Sequence, residues 1–203
     1  MGVKVSVNEL RAEISVAAAR LIAEEGLSYG EAKYKAAEQV IGKKRVPKDV
    51  MPTNKEIEDE VRIYNQLYLS DTQPVRLRNL REVAVVLMEE LADFRPYIVG
   101  AVWNGTAGEH SDIYLELFVD NPKEVEIFLL NRKVDFEVSE RPHFQANRDY
   151  VEVLSFFFKK EGVHAALYPL DDLRGALKQK QNSMPKRGDL VALQALLAED
   201  KGI

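Results

Sequence analysis

Residues 99–120, VGAVWNGTAGEHSDIYLELFVD, set the reading of the whole chain. They spell an apolar strand, a tight glycine loop and a second strand with acidic residues on one face. Gly105, Thr106 and Gly108 put small residues where backbone can approach a charged ligand closely. Ser111-Asp112 opens the second strand. Alternation then points Asp112, Tyr114 and Glu116 one way and Ile113, Leu115 and Leu117 the other. That arrangement suits a metal-bound phosphate. It equally suits a half-buried strand with one wet face.

The segment before this stretch reads as a helix over about 76–93, with a stripe of Leu77, Leu80, Ala84, Leu87 and Leu91. Arg76, Arg78 and Arg81 near its start suit either an anion or solvent. Pro96 ends the helix and a strand follows from Tyr97. Trp103, the single tryptophan, is placed either to stack on a base or to fill core. After the second strand, Asn121, Pro122 and Glu124 form a strong helix start. Val125, Phe128 and Leu129 face inward from that helix. A third strand over 134–138 carries Asp135 and Glu137 on one face. A polar loop over 139–149 holds Arg141, His143 and Arg148.

Two more strands, 150–159 and 163–168, read as a hairpin joined by Lys160-Glu161-Gly162. Phe156, Phe157 and Phe158 in a row imply burial on both faces. Glu152 is a spare candidate carboxylate on the first of these strands. A short helix follows Pro169. The basic run 178–188 reads as a flexible connection, and Asp189 caps a last helix with Leu190, Leu193 and Leu197 as its stripe.

The N-terminal third is helical. Asn8 can cap a first helix that Gly26 ends. Ser28 with Glu31, and Thr53 with Glu56, are capping boxes for two more helices. The first two invite a helix-turn-helix reading, that of a DNA-binding regulator: AAARLIAEEG resembles the first helix of many bacterial repressors, and Lys33, Lys35, Lys43, Lys44, Arg45 and Lys48 add positive charge. The second helix lacks a run of exposed Arg, Asn or Gln for reading bases, which favours a plain helical hairpin.

The whole chain has 203 residues, a net charge of −5 and no cysteine. The acidic balance argues against nucleic-acid binding over the whole surface. Without cysteine there is no disulfide framework, thiolate nucleophile or cysteine-based zinc site. No apolar run approaches the roughly 20 residues of a membrane helix, and the start of the chain lacks a signal-peptide core. These features point to the cytoplasm. The expected fold is α/β (α+β): a mixed, mostly antiparallel sheet of about five strands with helices on one face. The expected division is 1–75 helical, 76–175 α/β, and 176–203 linker and last helix.

Gly105-Thr106, a further glycine at 108 and then Ser111-Asp112-Ile113 between two strands resembles the signature of the polymerase-β-like nucleotidyltransferase superfamily, over roughly residues 80–170. The resemblance implies metal-dependent transfer of a nucleotidyl group from a nucleoside triphosphate to an acceptor. Gly105, Thr106, Gly108 and Ser111 would hold the triphosphate, and Asp112 would be the first magnesium ligand. The signature's second aspartate falls at position 114, which is tyrosine here. Glu116 and either Asp135 or Glu137 are the remaining candidate carboxylates for Mg2+. Tyr114 also fits a second reading, a catalytically inactive relative that binds a nucleotide or a protein. A third arrangement, Glu109, His110 and Asp112 at the strand entrance, offers His110 as base or metal ligand. A homo-oligomer is also open, since the last helix can dock on the domain or on a partner.

Overall fold

The computed structural model describes residues 6–42, 46–145, 148–177 and 186–199. The chain forms two compact units. One is helical, running up to Arg76 and including Gly108–His110, and the other is built on a sheet and takes in the remainder.

The helical unit is built from α1 (Val7–Glu25), α2 (Tyr29–Ile41) and α3 (Asn54–Tyr68). Each opens with a reciprocal capping box: Ser6 with Glu9, Ser28 with Glu31, Thr53 with Glu56. The first box corrects the cap from Asn8 to Ser6, whose hydroxyl accepts from Glu9 N, so the helix starts earlier than its apolar stripe suggests. Gly26 and Gly42 end α1 and α2 with φ of 69° and 67°. Ile14, Ala18, Leu21, Ala36, Ile57 and Val61 form the centre of this unit's core.

The sheet unit takes in α4 (Gln73–Glu90) from Leu77 onward. Pro74 lies in the first turn of that helix, where its missing N–H costs nothing. Next come β1 (Pro96–Val99), α5 (Gly100–Asn104), β2 (Ile113–Val119), α6 (Lys123–Asn131), β3 (Phe136–Arg141), β4 (Val151–Phe158) and β5 (Glu161–Pro169). The short α7 (Leu173–Ala176), β6 (Arg187–Gly188) and α8 (Leu190–Glu199) complete it. Among the described residues, six strands run in the order β3-β4-β5-β2-β1-β6. Every pairing is antiparallel except β2 with β5. The architecture is α+β, and no described helix is long and apolar enough to cross a membrane.

Helices cover one face of the sheet. Leu80, Leu87 and Leu91 from the α4 side, Val125 and Leu129 of α6 and Leu193 of α8 pack there on Ile113, Leu115, Leu117, Leu154 and Leu167. The second face is covered only at one end, where Phe118, Val151, Val153, Ala166 and Tyr168 pack with Phe144, Leu173 and Ala176. Among the described residues, the rest of that face is open.

Three local expectations are corrected. The strand from Tyr97 stops at Val99, because Gly100 takes φ 71° and turns the chain into α5. Phe157 lies on the open face and is 76% exposed, so β4 is central in the sheet yet covered on one side only at this end. Residues 187–188, expected in a flexible connection, form β6 against β1, while 178–185 lie outside the described residues. There Gly188 lies against the Trp103 indole with no room for a side chain, which makes Trp103 a core residue.

Candidate functional site

The glycine loop forms, but it faces inward. Three successive amides, Gly105, Thr106 and Ala107, all donate to the carbonyl of Ala101 at 3.0–3.1 Å. Thr106 is buried, and its hydroxyl donates to Asn104 Oδ1 at 2.7 Å. This is the C-terminal end of α5, where carbonyls need donors. Arg81 supplies two more: it is buried, with Nε donating to Val102 O and Nη2 to Trp103 O. The Gly105 and Thr106 amides, two of the groups expected to cradle a triphosphate, are therefore engaged in closing a helix. Gly108 and His110 belong to the helical unit, where His110 Cβ lies against Gly26. Ser111 is half-buried directly before Asp112.

Asp112, Tyr114 and Glu116 do share the open face, as alternation requires. The neighbouring strand there is β5, with Tyr114 opposite His164 and Glu116 opposite Ala166. The histidine that meets Asp112 is thus His164, whose Nε2 lies 3.1 Å from Asp112 Oδ2. Its Nδ1 lies 2.9 Å from Ser155 Oγ, directly across the β4–β5 pairing. An ionised carboxylate only accepts hydrogen bonds, so in the neutral ring Nε2 carries the proton and Ser155 donates to Nδ1. Tyr114 stacks on the same imidazole, with centroids 4.8 Å apart. Burial first, and then the Asp112 charge, push the Tyr114 phenol above the ordinary tyrosine value, while Arg141 pulls it back.

Gly162 makes this contact possible. It lies in β5 opposite Phe157, not in the hairpin turn, and a Cβ there would overlap the Asp112 carboxylate. The turn itself is Lys159-Lys160, both left-handed at φ 48° and 69°.

The other candidate carboxylates lie elsewhere. Glu116 is buried, with Arg187 Nε 2.7 Å from Oε2 and Arg141 Nη2 3.2 Å from Oε1. The close Arg187 contact is an ion pair off the N–H axis. Arg141 also donates to Tyr168 Oη at 2.7 Å. Asp135 is exposed and precedes β3, and Glu137 lies on β3, at the sheet edge. With strands about 4.8 Å apart, that edge is about 14 Å from β2. A crossover alone does not make strands neighbours, and here the β3–β4 hairpin ends up at the edge. Glu152 projects to the helix-covered face, opposite Glu140 in register.

These residues do not fit magnesium. Among the described residues no three His, Cys, Asp or Glu side chains converge to hold a metal ion. Asp112 is hydrogen-bonded to an imidazole and Glu116 is neutralised by two guanidinium groups. Position 114 offers a ring where a hard cation needs a carboxylate.

Sequence reasoning missed His164, Ser155 and Arg187. The signal for His164 was a lone polar residue in phase within GVHAALYP. His143, expected in an exposed loop, is buried. Its Nδ1 accepts from Gln145 N, and its Nε2 lies 3.1 Å from Asp172, which also meets Arg148.

Comparison with known proteins gives no match: no family model, no curated protein and no solved structure matches this chain.

Proposed function

We propose that this protein is a nucleotidyltransferase-like domain that binds a nucleotide-class ligand on its open sheet face without transferring a nucleotidyl group. The supporting observation is His164, which stands on the strand beside β2 and takes Asp112 as its partner. Two-metal phosphoryl transfer needs carboxylates converging on ions about 4 Å apart. On this face Asp112 is engaged with His164 and Glu116 with Arg141 and Arg187, while Glu137 stands two strands over from β5 at the sheet edge. What the face presents instead is the Tyr114 ring, 41% exposed, with Asp112 and the half-buried Arg141 both near enough to act on its phenol. A planar ring can stack on Tyr114 while its anionic end reaches Arg141.

A cytoplasmic location belongs to the same proposal. Duplex DNA binding by the helical unit has less support. Lys33 donates to Asn54 and Lys35 pairs with Glu25, while Lys43, Lys44 and Arg45 lie outside the described residues.

The test is a thermal-shift screen of nucleoside mono- and triphosphates with and without magnesium, paired with a pyrophosphate-release assay. A ligand at 100 times its Kd adds about 2.7 kcal/mol. The expected result is a shift that is independent of magnesium and lost in Tyr114→Ala, with no pyrophosphate released. Magnesium-dependent pyrophosphate release that disappears in Asp112→Asn would establish the transferase instead. A screen with no shift from any nucleotide would remove the ligand class.

A further inference from the structure

We propose that Ser155 is a reactive nucleophile, activated by His164 and Asp112, that accepts a group from a neutral acyl or phosphonyl electrophile without any metal. This goes beyond the nucleotide-binding reading and does not depend on it.

The geometry is that of a hydroxyl poised for proton transfer. Ser155 Oγ donates to His164 Nδ1 at 2.9 Å, within the reach a general base requires. His164 Nε2 donates to Asp112 Oδ2 at 3.1 Å, which selects the tautomer with Nδ1 free to accept. As the proton moves to Nδ1, the ring becomes cationic, and the Asp112 carboxylate stabilises that charge. Tyr114 stacks on the ring and restrains its plane. Ser155, His164 and Tyr114 come from three adjacent strands, so their spacing is set by backbone pairing, and Asp112 is the residue immediately before β2.

The surroundings set the chemical class. Ser155 is half-buried, on the part of the face that no described helix covers. Gly162, opposite Phe157, leaves the space that the Asp112 carboxylate fills, which seats Asp112 against His164. Glu137 stands directly across from Ser155 on β3 and is exposed. With Asp112 it sets two carboxylates beside Ser155, which disfavours an electrophile that carries negative charge at its reacting centre.

The surroundings also limit turnover. β4 is paired on both sides, with β3 and with β5, so its amides beside Ser155 belong to the ladders. An oxyanion formed there would meet no free backbone donor of that strand, and such donors are worth a factor of about 10²–10³ in rate. The expected behaviour is therefore slow, stoichiometric modification of Ser155.

The probe is a neutral alkyl fluorophosphonate. Serine Oγ attacks phosphorus, the Oγ–P bond forms and the P–F bond breaks. Fluoride leaves, and the serine proton passes to His164 Nδ1 and then to solvent.

The experiment incubates the folded full chain with the probe and maps the adduct by peptide mass spectrometry. Support is one adduct on Ser155 that is absent from Ser155→Ala and from urea-unfolded protein. Its formation should slow at least tenfold in His164→Gln. Circular dichroism establishes that each variant is folded. A Ser155→Cys variant alkylated by iodoacetamide reports access to the position independently. No adduct on Ser155 above the Ser155→Ala background, with the cysteine variant alkylated, would overturn the proposal. So would an adduct at another residue alone, or a Ser155 adduct that forms as fast in His164→Gln as in the native chain. A Ser155→Cys variant that is folded yet resists alkylation would overturn it too, by showing that no electrophile reaches the position.

Discussion

Single atoms decide what the open face can do. At Gly162 the missing Cβ is the space that the Asp112 carboxylate occupies, with the would-be Cβ only 2.7 Å from Asp112 Cγ. Gly162→Ala should displace Asp112 from His164 and destabilise the chain by about 1–3 kcal/mol, the usual cost of overpacking. A changed His164 ring resonance in NMR reports the displacement, and urea denaturation measures the destabilisation. An unaltered resonance would mean that the carboxylate has room elsewhere. At Glu116, one buried carboxylate holds two guanidinium groups. Glu116→Ala leaves both without their counterion and should cost about 3 kcal/mol at neutral pH, read from the shift of the urea midpoint. Glu116→Gln keeps the hydrogen-bonding shape and should cost less. These two residues also show the limit of reading a strand alone. Alternation puts Glu116 on the face of Asp112, but its guanidinium partners, Arg141 and Arg187, belong to distant parts of the chain.

Elements show where local signals suffice. The three capping boxes need only residues three apart, and two of them are legible directly in Ser28-Glu31 and Thr53-Glu56. Hydrogen bonds from the cap residues hold Glu9, Glu31 and Glu56 below the usual carboxylate value of 4.5, with the backbone amide dominant for Glu9 and Glu56 and the hydroxyl for Glu31. A carboxyl whose folded value is lowered contributes stability that is complete above its unfolded value and lost as pH falls through the folded one. The melting temperature of the helical unit should therefore fall on acidification below about pH 4.5, and Glu→Gln at all three caps should flatten that dependence. The β4–β5 turn makes the opposite point. Gly162 looks like its turn residue, yet the chain turns on two lysines with positive φ. Replacing Lys159-Lys160 by Asn-Gly, the pair suited to such a turn, should stabilise the chain by about 1 kcal/mol in urea titrations. The proximity of a glycine to a hairpin signal could not show that a carboxylate from another strand required its space.

For the whole molecule, the helical unit carries its own core, rich in alanine and small. Residues 1–72 expressed alone should give a helical circular dichroism spectrum and a cooperative but shallow melt, as expected of a small core. A spectrum without helix would refute this. In the full chain, Trp103 fluorescence reports the sheet unit, since it is the sole tryptophan and lies in that unit's core. The helices of the first third, the α+β character, the apolar and polar faces of β2 and two of the capping boxes are all legible in the order of residues. Each rests on positions close together along the chain, where periodicity and hydrogen-bond reach act directly. The folded arrangement alone puts β5, and not β3, beside β2, so that Asp112 meets His164, 52 residues away, and through it Ser155. Strand alternation specifies which way a side chain points but carries no information about which strand will be its neighbour. That choice is made by the packing of the helix-covered face and by the backbone pairing it imposes.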